Sequence, residues 1–458
     1  MGTTFLSGVI EGFYGPPWHR GERRELFAMM SAWGLNTYVY GPKDDLHHRA
    51  LWREPYPEAD LGPLRDLVAE CRGHGLEFFY ALGPGLDLRY SDPADREALR
   101  ARLAQLRSLG CRHFCLLFDD IPDRMAPGDR ERWGSFASAQ CAVTNELFLW
   151  MRGQDPGARF LFCPTPYCGR MASRHLGGAD YLATVGRELD PEIGVFWTGP
   201  EIISREITVA HVEELTGILR RPPVIWDNLQ ANDYDGHRFF AGPFSGRPPE
   251  LRSGVGGVLL NPNTEFPLNF VPLRTLALWL ANDGAWRPRD AYLQALTEWH
   301  PKFDGALQTI SLADLTLLMD CYYLPYEEGP EVVQWRQQLG DLLSRPPSAW
   351  GQEAAQVGAL AARLQEACVR MTELRNRPLF HALSRRLWEL REELDLLGRY
   401  LRHQADPGLA GTRFQSDFHQ PLTYRGGMVA SLQRLLRAES DGTFTAESEP
   451  ACRKGPNP

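Results

Sequence analysis

The 458-residue chain has no excess of positive charge: 49 Lys and Arg against 58 Asp and Glu leave a formal net charge of -9. Binding to nucleic-acid phosphates or anionic lipid needs a basic footprint, so neither nucleic acid nor a membrane is an expected partner. None of its nine cysteines forms a Cys-x-x-Cys pair, and Cys111, Cys115 and Cys163 sit in apolar, strand-like runs. Such thiols suit buried, reduced side chains better than a disulfide framework, which makes the cytoplasm the expected compartment. The opening residues MGTTFLSGVIEGFYG lack a basic segment followed by a long apolar one, and nowhere do ~18 apolar residues run uninterrupted. Export and membrane insertion are therefore not expected. The initial Met-Gly reads as an ordinary start, since a strand begins almost at once. No His-x-x-x-His spacing and no cysteine cluster offers ligands, so neither a metal nor another cofactor is expected. The first strand is not followed by Gly-x-Gly-x-x-Gly, which disfavours an open dinucleotide-binding sheet.

What is present is an ordinary globular balance, 43% hydrophobic and 23% charged, with 13 Trp, 15 Tyr and 22 Phe beside 43 Gly and 35 Pro. Short β-rich runs recur at Phe5 to Ile10, Thr37 to Tyr40, Glu77 to Ala81, His113 to Phe118, Phe160 to Cys163, Gly194 to Trp197, Val224 to Trp226 and Gly257 to Leu260. Between them lie stretches with helical spacing, such as Leu99, Leu103 and Leu106. Eight alternating units predict parallel strands that close into a (β/α)8 TIM barrel, an α/β fold. From about Asp290 the strands stop. Segments Ser311 to Cys321, Pro330 to Leu343, Gly351 to Met371, Pro378 to His403 and Gly427 to Leu436 predict an all-α helical bundle. The expected division is a barrel over 1–289, a bundle over 290–438 and a polar, flexible tail over 439–458.

Polar, Gly-rich and Pro-rich residues gather where strands end, the face on which barrel enzymes build their sites. The centre is Asp119-Asp120, directly after an apolar strand. Adjacent carboxylates in a partly desolvated site repel, so an acid and an anion side by side are expected, although a helix cap would use the same residues. Neighbouring Cα atoms lie ~3.8 Å apart, too close for two carboxylates to straddle a sugar. If the pair cleaves a glycoside, the nucleophile must come from elsewhere, and a 2-acetamido oxygen of the substrate is the natural candidate.

The segments GVIEGFYGPPW, YGPKDDLHHRALWREPY, LLFDDIP, FCPTPYCG, FWTGP, PVIWDNLQANDYD and LNPN, in this order, resemble glycoside hydrolase family 84, the O-GlcNAcases, over about Gly8 to Asn269. The helical remainder, including Tyr322-Tyr-Leu-Pro-Tyr326, Arg375 to Phe380 and Tyr424 to Gly427, resembles the stalk of the animal enzyme more weakly. The resemblance implies hydrolysis of β-linked N-acetylglucosamine from Ser and Thr, with Asp119 polarising the acetamido group and Asp120 as general acid and then base. It further implies Tyr167 donating to the acetamido oxygen, Trp226 as an apolar floor under its methyl, and Asn228 holding the acid pair or the acetamido group. Asp233 and Asn261 would take sugar hydroxyls at the 4- and 6-position end, Lys43 the 3-hydroxyl, and the Gly12 carbonyl would approach the ring unblocked by a Cβ.

Asp44 and Asp45 read as helix-start residues, and His47 and His48 point opposite ways. Met171 departs from the resemblance, which implies an aromatic lining residue at this place in the animal enzymes. Two alternatives stay open: the same chemistry on a polysaccharide such as hyaluronan or a cell-wall glycan, and a glycan-binding barrel without catalysis. The bundle either pairs two copies into a homodimer or caps the barrel.

Overall fold

A computed structural model describes residues 4–416, 427–439 and 442–446. Eight strands, β1 (Leu6–Glu11), β2 (Thr37–Tyr40), β3 (Glu77–Leu82), β4 (His113–Leu117), β5 (Phe160–Cys163), β6 (Gly194–Trp197), β7 (Pro223–Asp227) and β8 (Gly257–Leu260), form a closed barrel in chain order. Every pairing is parallel, and the seam closes with Leu6 opposite Gly257 and Val9 opposite Leu260. The expected (β/α)8 barrel is thus present, with each strand within a residue or so of its reading from the sequence.

The strands are buried on both faces, which is why they read as continuous apolar runs rather than alternating ones. Ile10, Val39, Phe79, Cys115, Leu161 and Leu259 pack with Trp226 in the barrel interior. Helices between the strands start where a cap is written into the chain. His19 and Glu22 make a reciprocal capping box at Arg20–Ala32, Asp92 caps Pro93–Ser108, and Ser135 caps Phe136–Gln154. Tight stops fall at Gly34, Gly75 and Gly110, where φ of +75°, +76° and +98° suits glycine.

Two buried ion pairs brace the strand ends. Glu11, fully buried at the end of β1, accepts from Arg23 Nε at 2.9 Å, from the Tyr38 hydroxyl and from the Trp18 amide. Asp227, at the end of β7, is held bidentately by Arg247 at 2.7 and 2.8 Å. Arg247 also donates to the carbonyls of Ser204, Arg205 and Ser245.

The chain divides into two compact units. The first comprises the described residues up to Tyr234 with Phe244–Phe266 and Leu273–Pro288; the second comprises Asp235–Pro243, Pro267–Pro272 and the described residues from Arg289 onward. The helical unit contains Leu312–Asp320, Pro330–Leu343, Gly351–Met371, Arg377–Ala405 and Gly427–Leu435. Part of the stretch expected to be a flexible tail is ordered. β9 (Leu436–Ala438) pairs antiparallel with β10 (Phe444–Ala446), because Phe444 is buried against Phe414 with ring centroids 5.7 Å apart. Residues 424–426 of the stalk-like motif and the tail beyond Ala446 lie outside the described residues. Among the described residues, no helix is long and apolar enough to cross a membrane.

Glu393, on helix Arg377–Ala405, is buried and accepts from Gln433 Nε2 at 2.8 Å. Burial, reinforced by the charge of Glu392, raises its pKa from 4.5 to about 7, against the Gln433 bond, which lowers it. The native state therefore binds this proton more tightly than the unfolded chain. The associated stability is whole below pH ~4.5 and is lost as pH rises through 7. We expect Glu393→Gln to gain about 2 kcal/mol relative to the wild type between pH 5 and pH 8, once incomplete burial is allowed for. Scanning calorimetry at the two pH values checks this, and identical pH responses in the two proteins would contradict it.

Candidate active site

Six of the eight strands deliver the residues expected at a site to one mouth of the barrel or its immediate loops, β3 and β6 being the exceptions. Asp119 lies two residues beyond β4 and is 8% exposed. Its Oδ2 accepts from Lys43 Nζ at 2.9 Å and lies 3.9 Å from Arg49 Nη1, while its Oδ1 is buried without a hydrogen-bond partner. Burial alone would raise the Asp119 pKa. The Lys43 charge and hydrogen bond, with Arg49 behind them, outweigh it and hold the carboxyl below the ordinary carboxylate value. Asp119 therefore stays ionised.

Asp120 is exposed and has φ of +49°, a left-handed backbone uncommon outside glycine. Its Oδ2 meets the Tyr14 hydroxyl at 3.4 Å and its Oδ1 the Tyr167 hydroxyl at 3.3 Å. Both bonds are long for O–H···O contacts and leave the carboxyl free to exchange partners. Tyr167 packs by its ring against the barrel core, and burial, with Asp120 and Asp119 nearby, pushes its pKa up so that it remains a hydroxyl donor.

The other expected residues fall as follows. The Lys43 side chain is only 4% exposed and is spent on Asp119, which rules out a solvated surface charge. Trp226, one residue before the end of β7, packs among the interior residues, edge-on to Phe196 at 5.3 Å. A Cβ at Gly12 would fall 2.8 Å from the Trp226 ring and 2.8 Å from Ile10, so Gly12 is required to admit the indole, a reason not foreseen from the sequence. Asn228 donates to the Ile202 carbonyl at 2.8 Å and accepts from Asn261 Nδ2 at 2.9 Å. The acid pair is held by Lys43, Arg49, Tyr14 and Tyr167 instead. Asn261 keeps Oδ1 buried and without a partner. Asp233 accepts the Tyr14 amide at 2.9 Å, tying the loop after β7 to the loop after β1.

Asp45 caps the short turn Leu46–His48, as expected of a helix-start residue, and is gripped by the hydroxyls of Tyr40 at 2.8 Å and Tyr56 at 2.6 Å. His48 points inward to the Ala81 carbonyl at 2.7 Å, and burial, then Lys43, lowers its pKa to about 4, whereas His47 turns to the Glu54 carbonyl. Met171 sits on the short helix Gly169–Ser173 beyond Tyr167.

Tyr14 and Arg49, which touch the acid pair, were not singled out in the sequence. Both lie inside quoted motifs, but composition and spacing do not tell which members of a motif reach the acids.

A closed parallel barrel with two adjacent acids and their cations at its C-terminal mouth belongs to the class that assembles a polar site from strand-end loops. The family model of the beta-N-acetylglucosaminidases matches residues 7–311, and the chain belongs to this family. Over 275 residues, 60% of this chain, it is 48% identical to the protein O-GlcNAcases of Mus musculus and Rattus norvegicus, covering 30% of the length of each. Among solved structures, a mutant of the Thermobaculum terrenum O-GlcNAc hydrolase matches with TM-score 0.79 and 28% identity, over 88% of this chain and 85% of that one.

Proposed function

We propose that the protein is a retaining β-N-acetylglucosaminidase that removes O-linked β-N-acetylglucosamine from Ser and Thr of glycoproteins, with the substrate's acetamido oxygen as nucleophile. The observation that carries this reading is Asp119: an anion held by Lys43, with a buried oxygen lacking a partner, one residue from an exposed acid. A buried acceptor without a donor is an unmet demand that a ligand N–H satisfies.

In the first step the acetamido oxygen attacks the anomeric carbon and the glycosidic C–O bond breaks. Asp120 gives its proton to the departing oxygen, while Asp119 holds the N–H as positive charge grows on the forming oxazolinium ring. In the second step Asp120 takes a proton from water, which attacks the same carbon and reopens the ring. Two inversions at one centre give retention. Trp226 provides an apolar face for the acetamido methyl, a shape preference worth about 1–3 kcal/mol. Asn261 and Asp233 would meet sugar hydroxyls, with Asn228 orienting Asn261 through their mutual hydrogen bond. Catalysis is assigned to residues 1–289, the helical residues 290–438 forming a separate domain.

Eight free, buried cysteines among the described residues accord with a reducing cytoplasm. The helical domain is assigned to homodimer formation, and the exposed indole of Trp388 supports that assignment.

One panel tests the reading. We expect an aryl β-N-acetylglucosaminide to be cleaved, its N-acetylgalactosamine counterpart more slowly, and the glucoside, which lacks the nucleophile, not measurably. Glucoside cleavage at a similar rate would sink the proposal. Preference for hyaluronan or a cell-wall glycan over a glycopeptide would move the substrate to polysaccharide.

A further inference from the structure

Asp120 occupies a left-handed backbone conformation that aspartate tolerates better than most residues but that remains uncommon, so what holds it there matters. Its carboxyl does not impose it, since the two hydrogen bonds there are 3.3 and 3.4 Å long. The short contact is on the backbone: Arg49 Nη2 donates to the Asp120 carbonyl at 2.8 Å. From the same guanidinium, Nη1 lies 3.9 Å from Asp119 Oδ2. The Arg49 side chain is 12% exposed, so it works in a partly dehydrated place where its reach is fixed.

We propose that Arg49 is a positioning residue whose guanidinium, bridging the Asp120 carbonyl and the Asp119 carboxylate, fixes the left-handed backbone that aims the Asp120 carboxyl at the leaving oxygen. This deepens the glycosidase reading above and rests on it. A planar fork suits the task because two of its N–H groups face two acceptors in fixed relation, which a single ammonium cannot reproduce. The arm that carries Arg49 is itself anchored. Its amide closes the Leu46–His48 turn by donating to the Leu46 carbonyl, Asp45 at the head of that turn is held by Tyr40 and Tyr56, and the His48 carbonyl accepts the Gly83 amide at 2.9 Å. Charge on Asp119 is supplied first by Lys43 at 2.9 Å, which leaves the Asp120 carbonyl as the contact peculiar to Arg49.

The test compares the wild type with Arg49→Ala and Arg49→Lys on two β-N-acetylglucosaminides, one with an activated aryl leaving group and one with an alkyl leaving group resembling serine. Thermal midpoints are recorded for each protein. If Asp120 is mis-aimed, Arg49→Ala loses on the order of 100-fold in kcat/KM on the alkyl substrate and under about 10-fold on the aryl one, since only the former needs the acid. Arg49→Lys, which keeps the charge, shows the same split, and added guanidinium restores part of the alkyl activity of Arg49→Ala. Equal losses on both substrates, or full alkyl activity in either variant, would overturn the assignment. If Arg49→Ala does not fold, the split in Arg49→Lys decides. A wild type that cleaves neither substrate would fail the glycosidase reading itself, whereas a wild type active on both with no split in the variants fails only the role of Arg49.

Discussion

Asp120→Asn is expected to lose about 10²- to 10⁴-fold in kcat/KM on a serine-like or alkyl N-acetylglucosaminide, yet less than about tenfold on an aryl one whose leaving group departs unaided. The substitution is clean. Asparagine tolerates positive φ nearly as well as aspartate, so the backbone at +49° and its bond to Arg49 survive. The amide also keeps an acceptor for Tyr14 or Tyr167. What it lacks is a proton to give, and the deficit must scale with how badly the leaving oxygen needs one. Steady-state rates across phenols of graded acidity would show a steeper dependence on leaving-group acidity in the variant. Parallel lines for the two proteins would remove Asp120 from the role of acid.

Asp119→Asn is expected to reduce kcat by about 10²- to 10³-fold on aryl and alkyl substrates alike, because in the proposed mechanism the charge it removes faces the oxazolinium ring and not the leaving group. Lys43, 4% exposed, would then be a buried cation without its partner, and stability should drop as well. The double variant Asp119→Asn/Lys43→Met separates the two effects, recovering stability without recovering rate. The proposed mechanism needs the ionised Asp119, and its lowered pKa favours that form as pH falls toward the ordinary carboxylate range. The acid limb of the wild-type kcat/KM profile should therefore lie below that range. Fluorinating the N-acyl methyl weakens the attacking carbonyl, so wild-type rates should fall with each fluorine. An N-trifluoroacetyl substrate hydrolysed as fast as the N-acetyl one would exclude participation by the acetamido oxygen.

The barrel was legible because each strand is buried on both faces, as in β4, and because its polar successors mark the strand end. The acid pair was legible from its adjacency and from the motif around it. Less was visible where the reason lies in backbone geometry or in a distant partner. Nothing in the letters Asp-Asp announces φ of +49° at the second, and so nothing pointed to Arg49, 71 residues away. Gly12 was read only as a place where a carbonyl approaches a sugar ring, and its closeness to Ile10 and to Trp226 of β7 was not visible in the letters. Phe444 was hidden in a polar stretch, where one aromatic ring and one antiparallel partner suffice to make a strand.

The order of the barrel strands has a consequence for how activity is acquired during folding. The ionic side of the site, Lys43, Arg49, Asp119 and Asp120, comes from the first 120 residues, and Glu11 finds Arg23 and Tyr38 within 27 residues of itself. The Glu11 contacts are local and can form early, while Lys43 and Arg49 reach Asp119 and Asp120 across 76 and 71 residues, still within the first four strands. Trp226, Asp233 and Asn261, the proposed apolar floor and hydroxyl-binding residues, arrive more than 100 residues later. The joints between the two halves, Tyr14 with Asp233, Trp18 with Thr264 and β1 with β8, span more than 200 residues each. The polar half of the site can thus stand before the barrel shuts, but a sugar has nowhere to lie until it does. Appearance of N-acetylglucosaminide binding during refolding therefore times the closure of the ring itself.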